Sequence, residues 1–138
     1  MFQPKLGVSI HNLAPSITPE ALQAITASSI ATLELFAPLL GEDQLPLLRQ
    51  FPHNGPVRLM SLHARFGPAY DWSRLDQDAY ASALAALRET LAVAATLRIP
   101  LVIAHASAEP IGEGERQQRL QRTIAALQEV SAECRQAG

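Results

Sequence analysis

The run Val57-Arg58-Leu59-Met60-Ser61-Leu62-His63 and the later run Leu101-Val102-Ile103-Ala104-His105 enclose the passage that decides the fold. Both are short, largely apolar and end in histidine. Between them, over residues 76–97, Tyr80, Leu84, Leu87 and Leu91 fall at i, i+4, i+7 and i+11, one face of a helix with about 3.6 residues per turn. Ala83, Ala94 and Ala95 widen that stripe with small side chains, which lets a helix lie close on a sheet. Strand, amphipathic helix, strand is a βαβ unit, and its two strands run parallel with a right-handed crossover.

Working outward, the same alternation repeats. Residues 6–11 and 30–36 are two further apolar or β-branched runs. All four runs are continuous rather than strictly alternating, the pattern of strands covered on both faces. Thr18-Pro19-Glu20 opens a helix expected over residues 18–28. It offers a capping hydroxyl, a proline at the first helical position and an acid in the first turn. Ile17 and Leu22 stand at the spacing of a hydrophobic staple. A shorter helix is expected over residues 44–50, with Pro46 confining its start to near Leu45. The last helix is expected over residues 115–136, with Leu120, Ile124, Leu127 and Cys134 along its inner side and Cys134 as core filler. The expectation is an α/β chain of four consecutive βα units on one parallel sheet.

Composition narrows the function. The 138 residues are 48% apolar and 17% charged, enough for one domain with a real core. Eleven Lys and Arg against thirteen Asp and Glu leave a formal charge of −2, which argues against a protein that neutralises nucleic-acid phosphates. A single cysteine excludes an intramolecular disulfide framework. No apolar run reaches the roughly 18–20 residues of a membrane span. The opening Met-Phe-Gln-Pro-Lys has no basic stretch leading into an apolar one, so neither a secretory signal nor a membrane partner is expected, and the expected location is the cytoplasm.

Three of the four histidines share one structural address. His11, His63 and His105 each stand at the carboxyl end of a predicted strand, the edge where parallel α/β folds bind ligands. Glu34 interrupts Leu33-Glu34-Leu35-Phe36, and a carboxylate in a buried strand requires a partner or a pocket. Its alternation with Leu33 and Leu35 points it inward. The loop after the third strand, Ala64-Arg65-Phe66-Gly67-Pro68-Ala69-Tyr70-Asp71-Trp72, supplies aromatic walls and an arginine able to grip an anionic group. His11, Glu34, His63, Arg65, Phe66, Tyr70, Trp72 and His105 are therefore the candidate binding residues. His53 lies in a turn at the opposite edge and reads as surface. Residues 106–114 form a glycine-bearing loop into the last helix, but Glu113 and Glu115 would repel an anion there.

Ser61-Leu62-His63-Ala64-Arg65-Phe66, then Tyr70-Asp71, then the long Ala/Leu helix ending Leu97-Arg98-Ile99-Pro100, then Leu101-Val102-Ile103-Ala104-His105, resemble the sugar phosphate isomerase/epimerase group of xylose isomerase-like TIM barrels. Leu33-Glu34-Leu35 is similar to that family's second strand with its acidic residue. The resemblance spans residues 1–138 but only the amino-terminal half of the family's (β/α)8 barrel. It implies an enzyme of carbohydrate metabolism: a metal-dependent isomerase or epimerase working by proton transfer alpha to a carbonyl. It also implies a divalent ion (Mn, Mg or Zn) in the full-length protein. The chief metal ligands and the acid/base carboxylates come from the family's later strands, so this chain, as a fragment, is expected to bind no metal and to be inactive alone. Its expected partners are a small carbohydrate and either the missing C-terminal half-barrel or another copy joined through open sheet edges.

Two alternatives stay open. One is a zinc phosphodiesterase of the AP endonuclease kind, with His63 and His105 as zinc ligands. The other is a non-catalytic half-barrel binding module that dimerises.

Overall fold

A computed structural model describes residues 5–10, 17–41, 43–51 and 55–136 of the chain. His11 and His53 lie outside the described residues. Among the described residues, four strands and four α-helices alternate as expected: β1 (Gly7–Ser9), α1 (Pro19–Thr26), β2 (Thr32–Phe36), α2 (Gln44–Arg49), β3 (Arg58–His63), α3 (Gln77–Thr96), β4 (Leu101–Ile103) and α4 (Arg116–Gln136). The strands form one parallel sheet in the order β1-β2-β3-β4.

The chain divides into two compact units. The sheet unit comprises Met1–Ala64 with Thr90–Ile103, and the helical unit comprises Arg65–Glu89 with Ala104–Gly138. No helix among the described residues is long and apolar enough to cross a membrane.

In the sheet unit, the local signals act as their chemistry predicts. Thr18 Oγ1 accepts from the Ala21 N–H at 3.2 Å, and Pro19 takes the first helical position of α1. The stapling residues Ile17 and Leu22 are both buried. Leu33 and Leu35 of β2 and Leu59 and Leu62 of β3 turn one face of the sheet into a core, which Leu22 of α1, Leu48 of α2 and Ala94 and Leu97 from the end of α3 join. Each fully buried leucine contributes about 1.5–3 kcal/mol. α3 ends where Arg98 adopts a left-handed φ of 53°. The Arg98 N–H then reaches the Ala95 carbonyl at 3.1 Å and the Ile99 N–H reaches Ala94 at 2.8 Å, which satisfies the last carbonyls of the helix before Pro100.

The strands differ from the sequence reading in one respect. Their continuous apolar character predicts cover on both faces, yet within the sheet one face is the core while the other stays partly open, with Met60 43% and Leu101 52% exposed. β1 and β4 are also shorter than their apolar runs, because each is an edge strand and its ladder ends where its single neighbour stops pairing.

The helical unit buries Trp72, Ala83, Leu84, Leu87, Ala126 and Val130, together with the polar Asp71, Ser73 and Arg119. The stripe on α3 is therefore oriented as expected at Ala83, Leu84 and Leu87. The stripe on α4 is not. Leu120, Ile124 and Leu127 are 40–52% exposed, and Cys134 is exposed as well. The buried face of α4 carries Arg119, Ala126 and Val130 instead, because its charged residues reach back to Asp71 and Arg88.

Candidate functional site

The open face of the sheet collects the polar residues of the strands. Parallel pairing sets Ser9 beside Glu34 and Glu34 beside Ser61, and one layer further along sets Phe36 beside His63. Side chains paired in register share a face, so Ser9, Glu34, Ser61 and His63 all stand opposite the leucine core. Glu34, half-buried, finds the partner that a strand carboxylate requires: Ser61 Oγ donates to its Oε2 at 3.0 Å.

This arrangement depends on an irregularity that periodicity alone does not reveal. Leu33 pairs with Leu59, but the next residue, Glu34, pairs with Ser61, leaving Met60 as an extra residue in β3. Strict alternation from Leu59 would send Ser61 into the leucine core. The bulge restores it, and His63 after it, to the Glu34 face, the kind of re-aiming for which bulges are found near functional sites.

His63 ends β3, half-buried. Its ring meets Phe36 edge-on with centroids 5.8 Å apart, and its Nδ1 lies 2.8 Å from the Ala64 carbonyl oxygen. A carbonyl only accepts, so Nδ1 is the donor in that contact.

The helical unit holds the other candidates. Phe66 and His105 stack with centroids 5.2 Å apart and planes inclined by 26°, both exposed. His105 stands two residues beyond the end of β4 rather than on the strand itself. Arg65 donates to the Tyr70 hydroxyl at 3.3 Å and lies over its ring at 5.8 Å. Gly67 has φ 103° and ψ 179°, a conformation open to glycine, and from it the loop turns into the short 3-10 segment Pro68–Tyr70. Trp72 is 4% exposed, which places it beneath the loop surface and not on a wall open to a ligand.

Under that loop lies a network that the candidate list missed. Asp71 Oδ1 accepts from the Ser73 N–H at 3.0 Å and from its hydroxyl at 2.6 Å; Oδ2 accepts from the Ala108 N–H at 3.0 Å and from Arg119. Burial alone would raise the Asp71 carboxyl, but the bonds from Ser73, Ala108 and Arg119 outweigh it and hold the group below its ordinary value. The network ties the loop after β3 to the loop after β4, with α4 as anchor. Asp71-x-Ser73 is a readable turn signal. Arg119, a charged residue in a helix rich in them, gives none.

The shape of the chain has known counterparts. The crystal structure of D-psicose 3-epimerase with D-tagatose from Clostridium cellulolyticum H10 superposes with a TM-score of 0.73 at 17% identity, covering 94% of this chain and 48% of that one. A D-psicose 3-epimerase structure in the presence of D-fructose gives a TM-score of 0.72 at 14% identity, covering 92% and 47%. Both are TIM barrels. This chain has the fold of half a TIM barrel. The half-barrel spans about half the length of the solved chains it matches. No protein-family model matches it, and no curated protein does.

Strand ends and the loops after them are where this fold places its chemistry; His63 ends β3 and His105 follows β4, whereas Glu34 lies at the middle of β2. A resident metal ion fits less well. Among the described residues, no three His, Cys, Asp or Glu side chains are grouped closely enough to hold one, so His63 and His105 gain no support as metal ligands.

Proposed function

We propose that this chain is the substrate-facing half of a sugar isomerase or epimerase. Its substrate would be a ketose of the kind found with its structural counterparts, D-tagatose or D-fructose. The observation that carries this reading is the likeness of nearly the whole chain to two sugar epimerases, joined to the polar residues Ser9, Glu34, Ser61 and His63 that share one face of the sheet.

In this reaction class the proton on the carbon alpha to the carbonyl passes to a carboxylate. The C–H electron pair forms the enediolate double bond, and a proton returns to the opposite face or to the neighbouring carbon. The acid/base carboxylates for these transfers, and the divalent ion the resemblance implies, belong in our reading to residues outside this chain. This chain's own groups bind and orient. Glu34, steadied by Ser61, accepts from a substrate hydroxyl, and His63 hydrogen-bonds another. Within the helical unit, His105, Arg65, Phe66 and Tyr70 offer stacking and donor groups of their own, and His11, outside the described residues, stays a candidate on its sequence alone.

The test is a titration of the isotope-labelled chain with D-fructose followed by NMR. Shift changes at Glu34, Ser61 and His63 that disappear in Glu34→Ala support the reading; unchanged spectra at those residues up to high millimolar sugar overturn it. Epimerisation by the isolated chain with added Mn or Mg is expected to be undetectable. Turnover would overturn the placement of the acid/base groups.

A further inference from the structure

Within the helical unit, the loop after β3, the loop after β4 and the first turns of α4 enclose a cavity of about 390 Å³ that none of the roles above uses. That is the size of a small-molecule site. Its lining mixes groups that only accept hydrogen bonds, Asp76, Glu109 and Glu115, with groups that only donate, Arg74 and Arg119, and adds the apolar Pro68, Leu75 and Pro110.

Arg119 points to a ligand. Its side chain is 9% exposed, and two of its three nitrogens are committed: Nε to Ser73 Oγ at 3.1 Å, and Nη2 to Ser73 at 3.0 Å and to Asp71. The third, Nη1, has Glu115 Oε2 at 3.7 Å, beyond hydrogen-bond distance, and no acceptor among the described residues. Nη1 lines the cavity and is not sealed from water, so an oxygen brought there takes water's place as its acceptor.

The charges define what that oxygen belongs to. Asp71 is matched by Arg119, and Glu109 is matched by Arg116 at 3.0 Å, leaving Arg74 against Asp76 and Glu115. An anion would face carboxylates, and a cation would face Arg74 and Arg119. A hydroxyl both donates and accepts, so it satisfies either neighbour without adding charge, and a carbon skeleton between hydroxyls suits Leu75 and Pro110. We propose that this cavity binds a small neutral polyhydroxylated molecule, with Arg119 Nη1 and Arg74 as donors and Glu115 as acceptor. The cavity's lining shares no residue with the sheet face assigned above, and the proposal stands or falls independently of that assignment.

The experiment titrates the labelled chain with D-fructose, D-glucosamine and fructose 6-phosphate at constant ionic strength. The expected result is shift changes at the Leu75 and Ala108 amides and the Arg119 Nε–H with the neutral sugar, at least tenfold weaker with either charged analogue. Glu115→Gln and Arg74→Gln, both at exposed positions, are each expected to raise the Kd about fivefold while circular dichroism stays unchanged. Three results overturn the proposal: shifts confined to Glu34, Ser61 and His63, preference for a charged analogue, or equal binding by both variants and the parent chain.

Discussion

Leu35, Leu48 and Leu62 are wholly buried in the sheet unit, whereas the helical unit buries, beside its apolar residues, the ion pair of Asp71 with Arg119, bridged by Ser73. The two are stabilised by different physics. Apolar burial is non-directional and indifferent to pH, so the sheet unit tolerates small shifts of its parts. A buried charge pair is directional and conditional: complete, it fixes two loops and a helix to one another; incomplete, it leaves an uncompensated charge.

The sharpest break between the units is expected from Arg119→Ala compared with Leu35→Ala. Removing Arg119 strands the Asp71 carboxylate and should cost about 3–5 kcal/mol at pH 7 in urea unfolding. Leu35→Ala should cost about 2–5 kcal/mol by leaving a cavity. Acid separates them. The Asp71 carboxyl is held below its ordinary value in the folded chain, so the stability it contributes is present above pH about 4 and lost as pH falls through the folded-state value. The deficit of Arg119→Ala should therefore shrink in acid while that of Leu35→Ala persists. Equal pH dependence in the two variants would refute the contrast.

Each unit also contains one described residue with a left-handed φ, and the pair sharpens the comparison. Gly67→Ala, in the helical unit, forces a side chain into φ 103°, ψ 179° and should cost about 1–3 kcal/mol by thermal melting. Arg98→Gly, in the sheet unit, relieves a non-glycine residue at φ 53° and should stabilise by about 1 kcal/mol. Opposite signs are the prediction, and a loss of stability in Arg98→Gly would show that its side chain contributes more than its backbone costs.

Much of the fold was legible because periodicity and capping are local. Thr18-Pro19 starts α1, Leu84 and Leu87 mark the buried side of α3, and the third apolar run ends at His63 as β3 does. What periodicity does not encode is the direction a face points. Leu120, Ile124 and Leu127 are correctly grouped on one side of α4, but Arg119 and Glu133 hold the neighbouring side, about 100° round the helix, inward through partners at Asp71 and Arg88, distant in sequence. The candidate site divides in the same way. Glu34 could be singled out because a carboxylate among leucines is conspicuous, whereas Ser61 became visible through the register with β2, which no local pattern contains.

The extra residue at Met60 has a practical corollary for engineering. Before it, odd-numbered Leu59 faces the core; after it, odd-numbered Ser61 and His63 face away from the core. A combinatorial library intended to recolour the polar surface of β3 must change parity at residue 60 and randomise 58, 61 and 63. A scheme that steps by two from Leu59 would mutate one packing residue for every two intended.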